Sequence, residues 1–422
     1  MSIVVLNHNV FYISNKCYNF YMKKEICPAK NIIENVCKVK KDERVLIIAN
    51  PETSRIAQEL YAASCEAGAK TVLAYQSIKT SFDSAEKEII AAIASNPDVC
   101  ISVSAQKLGK DAQATANPYK TEDGCEYQHV FDFLLDGKKS MRAVWTPGIT
   151  WDMYERTVNI DYENLRKNCE LLGKYFENAI SVQVTAPSGT DVAIPIYGRK
   201  LQYDDGDFSK PGTGGNIPAG EVFISPVVGS GNQQKTLSKV ENFVSSILKR
   251  ENTVSENQGE TSESSFGTQG KIVFDGSMTF GDGDSVLNTP IECVVQNGFV
   301  TEINGGSEAR RLLKTIVEAE NKALILESEG KLPQNQGSVY RRNARNIGEL
   351  GIGLNPAANV TGNMLEDEKA FSTCHFAIGE NYDNDAPCLI HLDGVVKNPT
   401  ITLTYEDGST RTILENGALR FE

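Results

Sequence analysis

Two successive strand–helix–strand patterns near the N-terminus constrain the fold of this chain more than any other feature. ERVLIIAN (43–50) is apolar and β-branched, a helical pattern follows it as far as Gly68, and KTVLAY (70–75) forms a second strand-like run. Helix-like and strand-like runs recur in the same order within residues 87–104. Parallel strands need crossover connections of this kind, so we predict an N-terminal α/β domain with a mostly parallel sheet.

The pattern changes near residue 180. Short alternating or apolar runs, separated by Gly, Pro and Asp turn signals, replace the alternation of helix and strand. Residues 231–270 are polar and rich in Ser, Gln and Glu, apart from the amphipathic stretch VENFVSSILKR. The predicted fold class is therefore α/β plus α+β, with an N-terminal extension at 1–21, an α/β domain at 22–180, and a strand-rich catalytic domain at 181–422 that carries the 231–270 insertion.

Charge and hydropathy narrow the range of partners and compartments. The formal net charge of −13 is spread over interspersed residues without a Lys/Arg-rich block, so we expect neither nucleic acid nor a membrane surface as a partner. No apolar run approaches the roughly 20 residues of a membrane helix, and the N-terminus lacks a secretory signal pattern. Ten scattered cysteines without a C-x-x-C motif suit reduced thiols, and we predict a cytoplasmic protein.

The run CLIHLDGVV (388–396) places polar residues in a segment that otherwise predicts a buried strand. His391 and Asp393 lie two positions apart, so they share one face of that strand. Two polar groups on a buried face need a common partner, and a metal ion is one candidate. His375 adds a second imidazole. These three residues match a hydrolytic metal site and a two-histidine, one-carboxylate iron site equally well.

Two glutamates lie in surroundings that do not suit a solvated charge. Glu221 in NIPAGEVFISPVV and Glu349 in RNIGELGIGLNP are flanked by Gly and aliphatic residues. Buried carboxylates are usually paired or bound to a cation, so each residue raises the expectation of a site. The alternative is that either glutamate faces solvent on an edge strand or in a turn.

A structural zinc site is another interpretation of this region. Cys374 precedes His375, and Cys388 lies three residues before His391, which would give two cysteines and two histidines. The spacing departs from that of zinc fingers and ribbons, so we disfavour this interpretation.

Eight segments, in order, resemble the aminopeptidase T family of dinuclear metallo-aminopeptidases. The resemblance covers roughly residues 22–422 apart from the polar insertion. Its motifs are WTPGIT, DYENL, GTDVAIPIYGRK, NIPAGEVF, IVFDGS, NIGELGIGLNP, LEDEKAFSTCHFAIG and IHLDG. Carried over position by position, it implies that two divalent metal ions are held by Glu221, Glu349, His375, His391 and Asp393.

The same resemblance implies an activity and further roles. Tyr382, seven residues after His375, matches a tyrosine that assists catalysis in the family, and Glu349 either bridges the ions or moves a proton. Five protein ligands are too many for one zinc with an open position but suit two ions about 3.5–4 Å apart. Zinc, cobalt and manganese all accept these ligands. We expect an enzyme that releases N-terminal residues from short peptides, and family members imply a homodimer.

Two other functions remain open. A ring-cleaving pyridine dioxygenase also resembles this family, and it implies a mononuclear non-haem iron site formed by His375, His391 and Asp393. That function would leave Glu221 and Glu349 without a role. A non-catalytic binding protein is the third possibility, which the intact set of ligands disfavours.

Overall fold

The first half of the chain supplies most of a five-stranded parallel sheet. The computed structural model describes residues 27–80, 83–229 and 266–421. The predicted strand–helix–strand units are confirmed, because β1 pairs in parallel with both β2 and β3. The sheet has the order β10-β6-β3-β1-β2. Its strands are β1 (Arg44–Ala49), β2 (Lys70–Tyr75), β3 (Val99–Val103), β6 (Arg142–Trp145) and β10 (Gly214–Asn216).

Both faces of the parallel sheet are covered, which explains why β1 is a continuous apolar run rather than an alternating one. Val45 and Ile47 belong to the main core, whereas Leu46 and Ile48 belong to a smaller core on the opposite face. Gly68 follows the first long helix with φ +83°, a conformation that glycine adopts without steric cost. The helix predicted between ERVLIIAN and Gly68 is therefore confirmed, and so is its end at this glycine.

Helices flank the sheets, and none of those in the described ranges has the length and apolar character needed to cross a bilayer. Two π-helical segments (Asn31–Val36 and Phe133–Gly137) and a 3₁₀ turn (Pro51–Thr53) adjoin them. The helices are α1 (Pro28–Lys30), α2 (Ser54–Glu66), α3 (Lys87–Ala94), α4 (Ala112–Ala116), α5 (Val130–Asp132), α6 (Trp151–Thr157), α7 (Tyr162–Phe176), α8 (Ser307–Ser328), α9 (Gln336–Asn343) and α10 (Met364–Asp367).

A seven-stranded antiparallel sheet carries the residues that the sequence assigns to metal binding. Its order is β14-β13-β19-β18-β17-β11-β9, so β17 and β18 are central, and every residue of these two strands is buried. Its strands are β9 (Gln202–Asp204), β11 (Glu221–Ile224), β13 (Ser277–Phe280), β14 (Gly283–Val286), β17 (Ile347–Gly353), β18 (Thr373–Gly379) and β19 (His391–Lys397).

An eight-stranded sheet completes the strand-rich half, and apolar residues of both large sheets belong to one continuous core. Its order is β16-β15-β12-β8-β7-β20-β21-β22. Its strands are β7 (Ala179–Thr185), β8 (Asp191–Pro195), β12 (Gln269–Phe274), β15 (Ile291–Gln296), β16 (Phe299–Asn304), β20 (Thr400–Tyr405), β21 (Thr410–Glu415) and β22 (Ala418–Leu419). A small hairpin is formed by β4 (Tyr119–Lys120) and β5 (Glu126–Tyr127).

The predicted fold class, α/β followed by a strand-rich α+β part, is confirmed. The chain enters the eight-stranded sheet with β7 and then returns to the parallel sheet with β10, so that sheet includes residues beyond the predicted 22–180 range. The predicted extension 1–21 lies outside the described residues, as do positions 231–265 of the predicted insertion.

Candidate metal centre

One face of the seven-stranded sheet carries all five side chains that the sequence assigns to metal binding. Residues directly opposite each other in antiparallel strands point to the same face. In this register each polar side chain lies beside a residue with little or no side chain: Glu221 beside Gly353, Glu349 and Asp393 beside Ala377, His391 beside Gly379, and His375 beside Gly351. We call these five polar residues the candidate metal centre.

The residues beside the candidate metal centre must be small, because larger side chains would overlap their neighbours. A Cβ added to Gly351 would overlap the imidazole ring of His375. At Gly348 the pairing of β17 with β18 shifts by one residue, and a Cβ there would collide with the carbonyl oxygen of Glu380. Such a bulge re-aims the residues that follow it, so Gly348 determines the direction of the Glu349 side chain.

Glu349 lies between the two histidines. Its Oε1 is 3.2 Å from Nε2 of His375, and its Oε2 is 3.1 Å from Nε2 of His391. Oδ1 of Asp393 is 3.3 Å from the same nitrogen of His391, and Oε2 of Glu221 is 3.4 Å from Nε2 of His375. The structure therefore brings the five residues together, with imidazole nitrogens and carboxylate oxygens directed at one another.

The hydrogen bonds around the centre leave ligand atoms available. The carbonyl oxygen of Glu380 lies 2.9 Å from Nδ1 of His391 and accepts its proton, so Nε2 is the ring nitrogen that can bind a metal ion once it has lost its own proton. Oε2 of Glu221 and Oδ1 of Asp393 are buried and have no hydrogen-bond partner among the described residues. Buried acceptors without donors are satisfied by a cation, so these residues fit a divalent ion with mixed nitrogen and oxygen ligands.

Two overlapping groups of ligand atoms have the spacing of a metal site, with all atoms of a group within 4.8 Å of one another. One group is Glu349, His375 and Asp393; the other is Glu221, Glu368 and His375. Neither contains a cysteine. Cys374 is adjacent to His375 in β18 and thus points to the opposite face, and Sγ of Cys388 donates to the carbonyl oxygen of Tyr340 at 3.6 Å.

Lys369 adjoins the candidate metal centre, although the sequence did not indicate it. Its side chain is only 1% exposed, and its Nζ lies 2.6 Å from Oε1 of Glu221, 2.6 Å from Oε1 of Glu368 and 3.2 Å from Oδ2 of Asp204. The run LEDEKAF is typical of a solvated charged segment and does not predict a buried lysine at position 369. The sequence around residue 369 offers no local signal that separates this lysine from a solvated one.

Several pKa values at the candidate metal centre are shifted because buried carboxylates are in excess there. Burial, together with the charge of Glu221, raises the pKa of Asp204 to about 7 and that of Glu368 to about 8, although Lys369 opposes both shifts. Burial disfavours the charged form of Lys369, but Glu221, Glu368 and Asp204 outweigh it and raise its pKa well above the usual value. The cluster therefore needs protons or cations to balance its negative charge.

The histidines respond to the same carboxylates. Burial disfavours the charged form of His375, yet its hydrogen bond with Glu349 and the charge of Glu221 raise its pKa to about 9. Burial likewise opposes ionisation of Glu349, but the hydrogen bonds from His375 and His391 lower its pKa to about 2. Glu349 is thus held as an anion, the form in which a carboxylate binds a metal ion.

Tyr382, predicted as a catalytic residue, lies on the open side of the centre. It is 52% exposed, and its ring centroid is 5.2 Å from that of His391 and 5.0 Å from that of Phe223. The rings of Tyr382 and Phe223 therefore border the candidate metal centre on its solvent side.

A separate cavity of about 750 Å³ lies in the α/β half, and none of the five ligand residues lines it. It opens at the carboxyl ends of β3 and β6, where open α/β sheets commonly bind ligands, and its lining includes Ser104, His129, Trp145 and Asn216. The candidate metal centre is a different site, built on one face of the antiparallel sheet.

The fold is shared with two solved enzyme structures. One is 2,5-dihydroxypyridine dioxygenase from Pseudomonas putida, with a TM-score of 0.60 and 14% identity, covering 93% of this chain and 97% of that chain. The other is wild-type AmpT, an aminopeptidase T, from Thermus thermophilus, with a TM-score of 0.58 and 14% identity, covering 93% and 98%. No family profile and no curated protein matches the sequence. At this identity the likeness establishes a distant relationship of fold.

Proposed function

We propose that this protein is a metal-dependent aminopeptidase that releases N-terminal residues from short peptides. The observation that carries the proposal is the position of Glu349 between His375 and His391, with Glu221 and Asp393 each directed at one of these histidines. A facial iron site needs only one carboxylate beside two histidines, whereas hydrolytic centres use several. The shared fold of AmpT supports the peptide as substrate.

Each residue of the centre has a role in this proposal. Two divalent ions, which we expect to be zinc, cobalt or manganese, would be held by Glu221, Glu349, His375, His391 and Asp393. When bound, such ions supply Lewis acidity and lower the pKa of a water molecule toward neutrality. The carbonyl oxygen of Glu380 keeps the tautomer of His391 that leaves Nε2 available as a ligand.

The chain's own groups account for the remaining chemistry. Glu349 acts either as a metal ligand or as the group that takes the proton of the attacking water and passes it to the leaving amine. Tyr382, on the exposed side of His391, donates a hydrogen bond to the oxyanion that develops on the scissile carbonyl. The free α-amino group of the substrate would be held by a carboxylate or an ion of the centre, which would restrict cleavage to the first residue.

A second candidate function is ring cleavage at a mononuclear non-haem iron held by His375, His391 and Asp393. One observation favours it: Glu221 is already paired with Lys369 at 2.6 Å, which is compatible with a centre for one ion. The shared fold of the pyridine dioxygenase points the same way. Against it stands Glu349, which contacts both histidines and would be an additional ligand.

Matched assays separate the two functions. Metal-free protein is loaded with zinc, cobalt, manganese or iron(II), and each form is tested for hydrolysis of a dipeptide panel and for oxygen uptake with 2,5-dihydroxypyridine. We expect peptide hydrolysis that Glu221→Gln abolishes and that the surface control Glu292→Gln retains, since the charged partner of Glu292 among the described residues is the half-exposed Lys271. Oxygen uptake with iron(II), unaffected by Glu221→Gln, would replace this proposal with the second candidate.

We further propose a cytoplasmic homodimer that has no nucleic acid or membrane partner. The dispersed charge supports the absence of nucleic-acid and membrane partners, and the resemblance to the aminopeptidase T family supports the dimer. Light scattering of the purified protein measures the oligomeric state, and a monomer at micromolar concentration would contradict the dimer.

A further inference from the structure

We propose that Lys369 is a built-in cation that occupies part of the second metal position, so that the chain binds one divalent ion tightly and a second ion only in competition with the lysine ammonium. This inference rests on the metal centre of the proposed function and refines it, because it assigns unequal affinities to the two positions. It arises from a residue that the predicted ligand set does not include.

The two groups of ligand atoms differ in their relation to Lys369. Among the described residues, Nζ of Lys369 contacts no member of the first group, which is Glu349, His375 and Asp393. In the second group, the carboxylates of Glu221 and Glu368 each have one oxygen 2.6 Å from that Nζ. A divalent ion bound by these two carboxylates would therefore lie close to a fixed positive charge and would share its ligands.

Lys369 is held in place by its surroundings. Its side chain is 1% exposed. A third carboxylate, that of Asp204 in β9, lies 3.2 Å from Nζ of Lys369. Its backbone N–H donates to the carbonyl oxygen of Glu366 at 3.0 Å, and its own carbonyl oxygen accepts from the N–H of Asn355 at 2.9 Å. The backbone is thus fixed, and the ammonium cannot leave the centre for solvent without breaking its ion pairs with three carboxylates.

Glu221 lies at the boundary between the two positions. Its Oε1 is bound by Lys369, whereas its Oε2 has no hydrogen-bond partner among the described residues and lies 3.4 Å from Nε2 of His375. Glu221 is 6% exposed, so an unpartnered oxygen here is a buried acceptor directed at the centre. One oxygen of Glu221 is thus available to the tightly bound ion while the other remains with the lysine.

Metal-binding stoichiometry tests this inference without an activity assay. The metal-free full chain is titrated with Zn²⁺ by isothermal calorimetry, and bound ions are counted after equilibrium dialysis; Co²⁺ absorption reports the ligand geometry. We expect one tight ion in the unmodified chain and a second that binds about 10- to 100-fold more weakly. Lys369→Met is expected to strengthen the second step by about the same factor.

Three variants control the comparison. Lys369→Arg retains a positive charge and should keep the second step weak. Lys271→Met removes a lysine whose partner is Glu292 on the eight-stranded sheet, and should leave both steps unchanged. Lys369→Met combined with Asp204→Asn removes one charge of each sign and no member of either ligand group, so it covers the case in which the single variant does not fold.

The outcomes separate this inference from the proposed function. Two equally tight ions in the unmodified chain would overturn the role of Lys369 and leave the two-ion aminopeptidase intact. The same conclusion would follow if the affinity for the second ion were unchanged in folded Lys369→Met and in the double variant. If no tight ion binds at all, both proposals fail. One tight ion without peptide hydrolysis would retain the inference and refute the aminopeptidase. If no lysine variant folds, the stoichiometry of the unmodified chain decides.

Discussion

Gly351 lies directly opposite His375 in the pairing of β17 with β18, and the imidazole ring of His375 occupies the space where a side chain of Gly351 would be. A central strand normally disfavours glycine, because glycine loses the most conformational entropy and offers nothing to pack. Here the missing side chain allows a histidine to lie across the neighbouring strand and reach Glu349 and Glu221.

Replacing Gly351 with alanine should therefore displace His375. We expect a loss of stability of about 1–3 kcal/mol from overpacking and a lower affinity for the first metal ion. Urea unfolding and zinc titration measure the two effects. Gly281→Ala is the control, since the atoms nearest to its Cβ would be those of the Thr315 side chain, from 3.2 Å outward. Unchanged zinc affinity in Gly351→Ala would contradict the assigned position of His375.

Removal of metal should destabilise the protein, because a ligand that binds only the folded state stabilises it by mass action. At free zinc 100-fold above the dissociation constant, the gain is about 2.7 kcal/mol. Thermal unfolding with and without a chelator measures it. Glu349→Gln should lose most of this gain, because Glu349 contacts both histidines. Equal zinc stabilisation of this variant and the unmodified chain would show that Glu349 is not a ligand.

Tyr382→Phe separates catalysis from metal binding. Loss of one hydrogen-bond donor to an oxyanion costs about 10²- to 10³-fold in kcat, whereas the bound-metal content should not change, because Tyr382 contacts the centre through its ring. Dipeptide hydrolysis and metal analysis are the two measurements. Tyr203→Phe, at a residue that is 45% exposed, is the control. A variant with full kcat would remove Tyr382 from the mechanism.

The ion pair between Glu43 and Arg142 predicts how stability depends on pH. Two hydrogen bonds join them, from Nη1 to Oε1 at 3.0 Å and from Nη2 to Oε2 at 2.6 Å, and the Arg142 side chain is 4% exposed. Burial opposes ionisation of Glu43, but the bonds from Arg142 and from the Lys40 N–H outweigh it, so its pKa lies below the ordinary 4.5.

A folded-state pKa below the unfolded one stabilises the protein above the unfolded pKa, and this contribution disappears as the pH falls through the folded pKa. Glu43→Gln should cost about 3–5 kcal/mol at pH 7, because it leaves the Arg142 charge buried and unpaired, and it should flatten the loss of stability below pH ~4.5. Urea unfolding between pH 7 and pH 3 tests this. Glu292→Gln, at an exposed pair, should cost about 0–1 kcal/mol. A similar small cost in Glu43→Gln would contradict the argument.

Much of the fold and part of the candidate site follow from local patterns. The spacing of His391 and Asp393 predicts one strand face, and β19 begins at His391. The glycine and aliphatic neighbours of Glu221 and Glu349 predict burial, and both residues are buried. These features were accessible because side-chain direction repeats with period two in a strand, so it can be read from adjacent positions.

The sequence by itself determined the order of helices and strands, the parallel sheet and the identity of five polar residues on buried strands. Only the tertiary structure decided that those five face one another and that Lys369 lies among them, because this depends on strand register and on contacts between distant positions. Lys369 and Glu221 are 148 positions apart and yet are joined at 2.6 Å. Local periodicity reports which face a side chain occupies, whereas the partner on that face is determined by the pairing of strands across the whole chain.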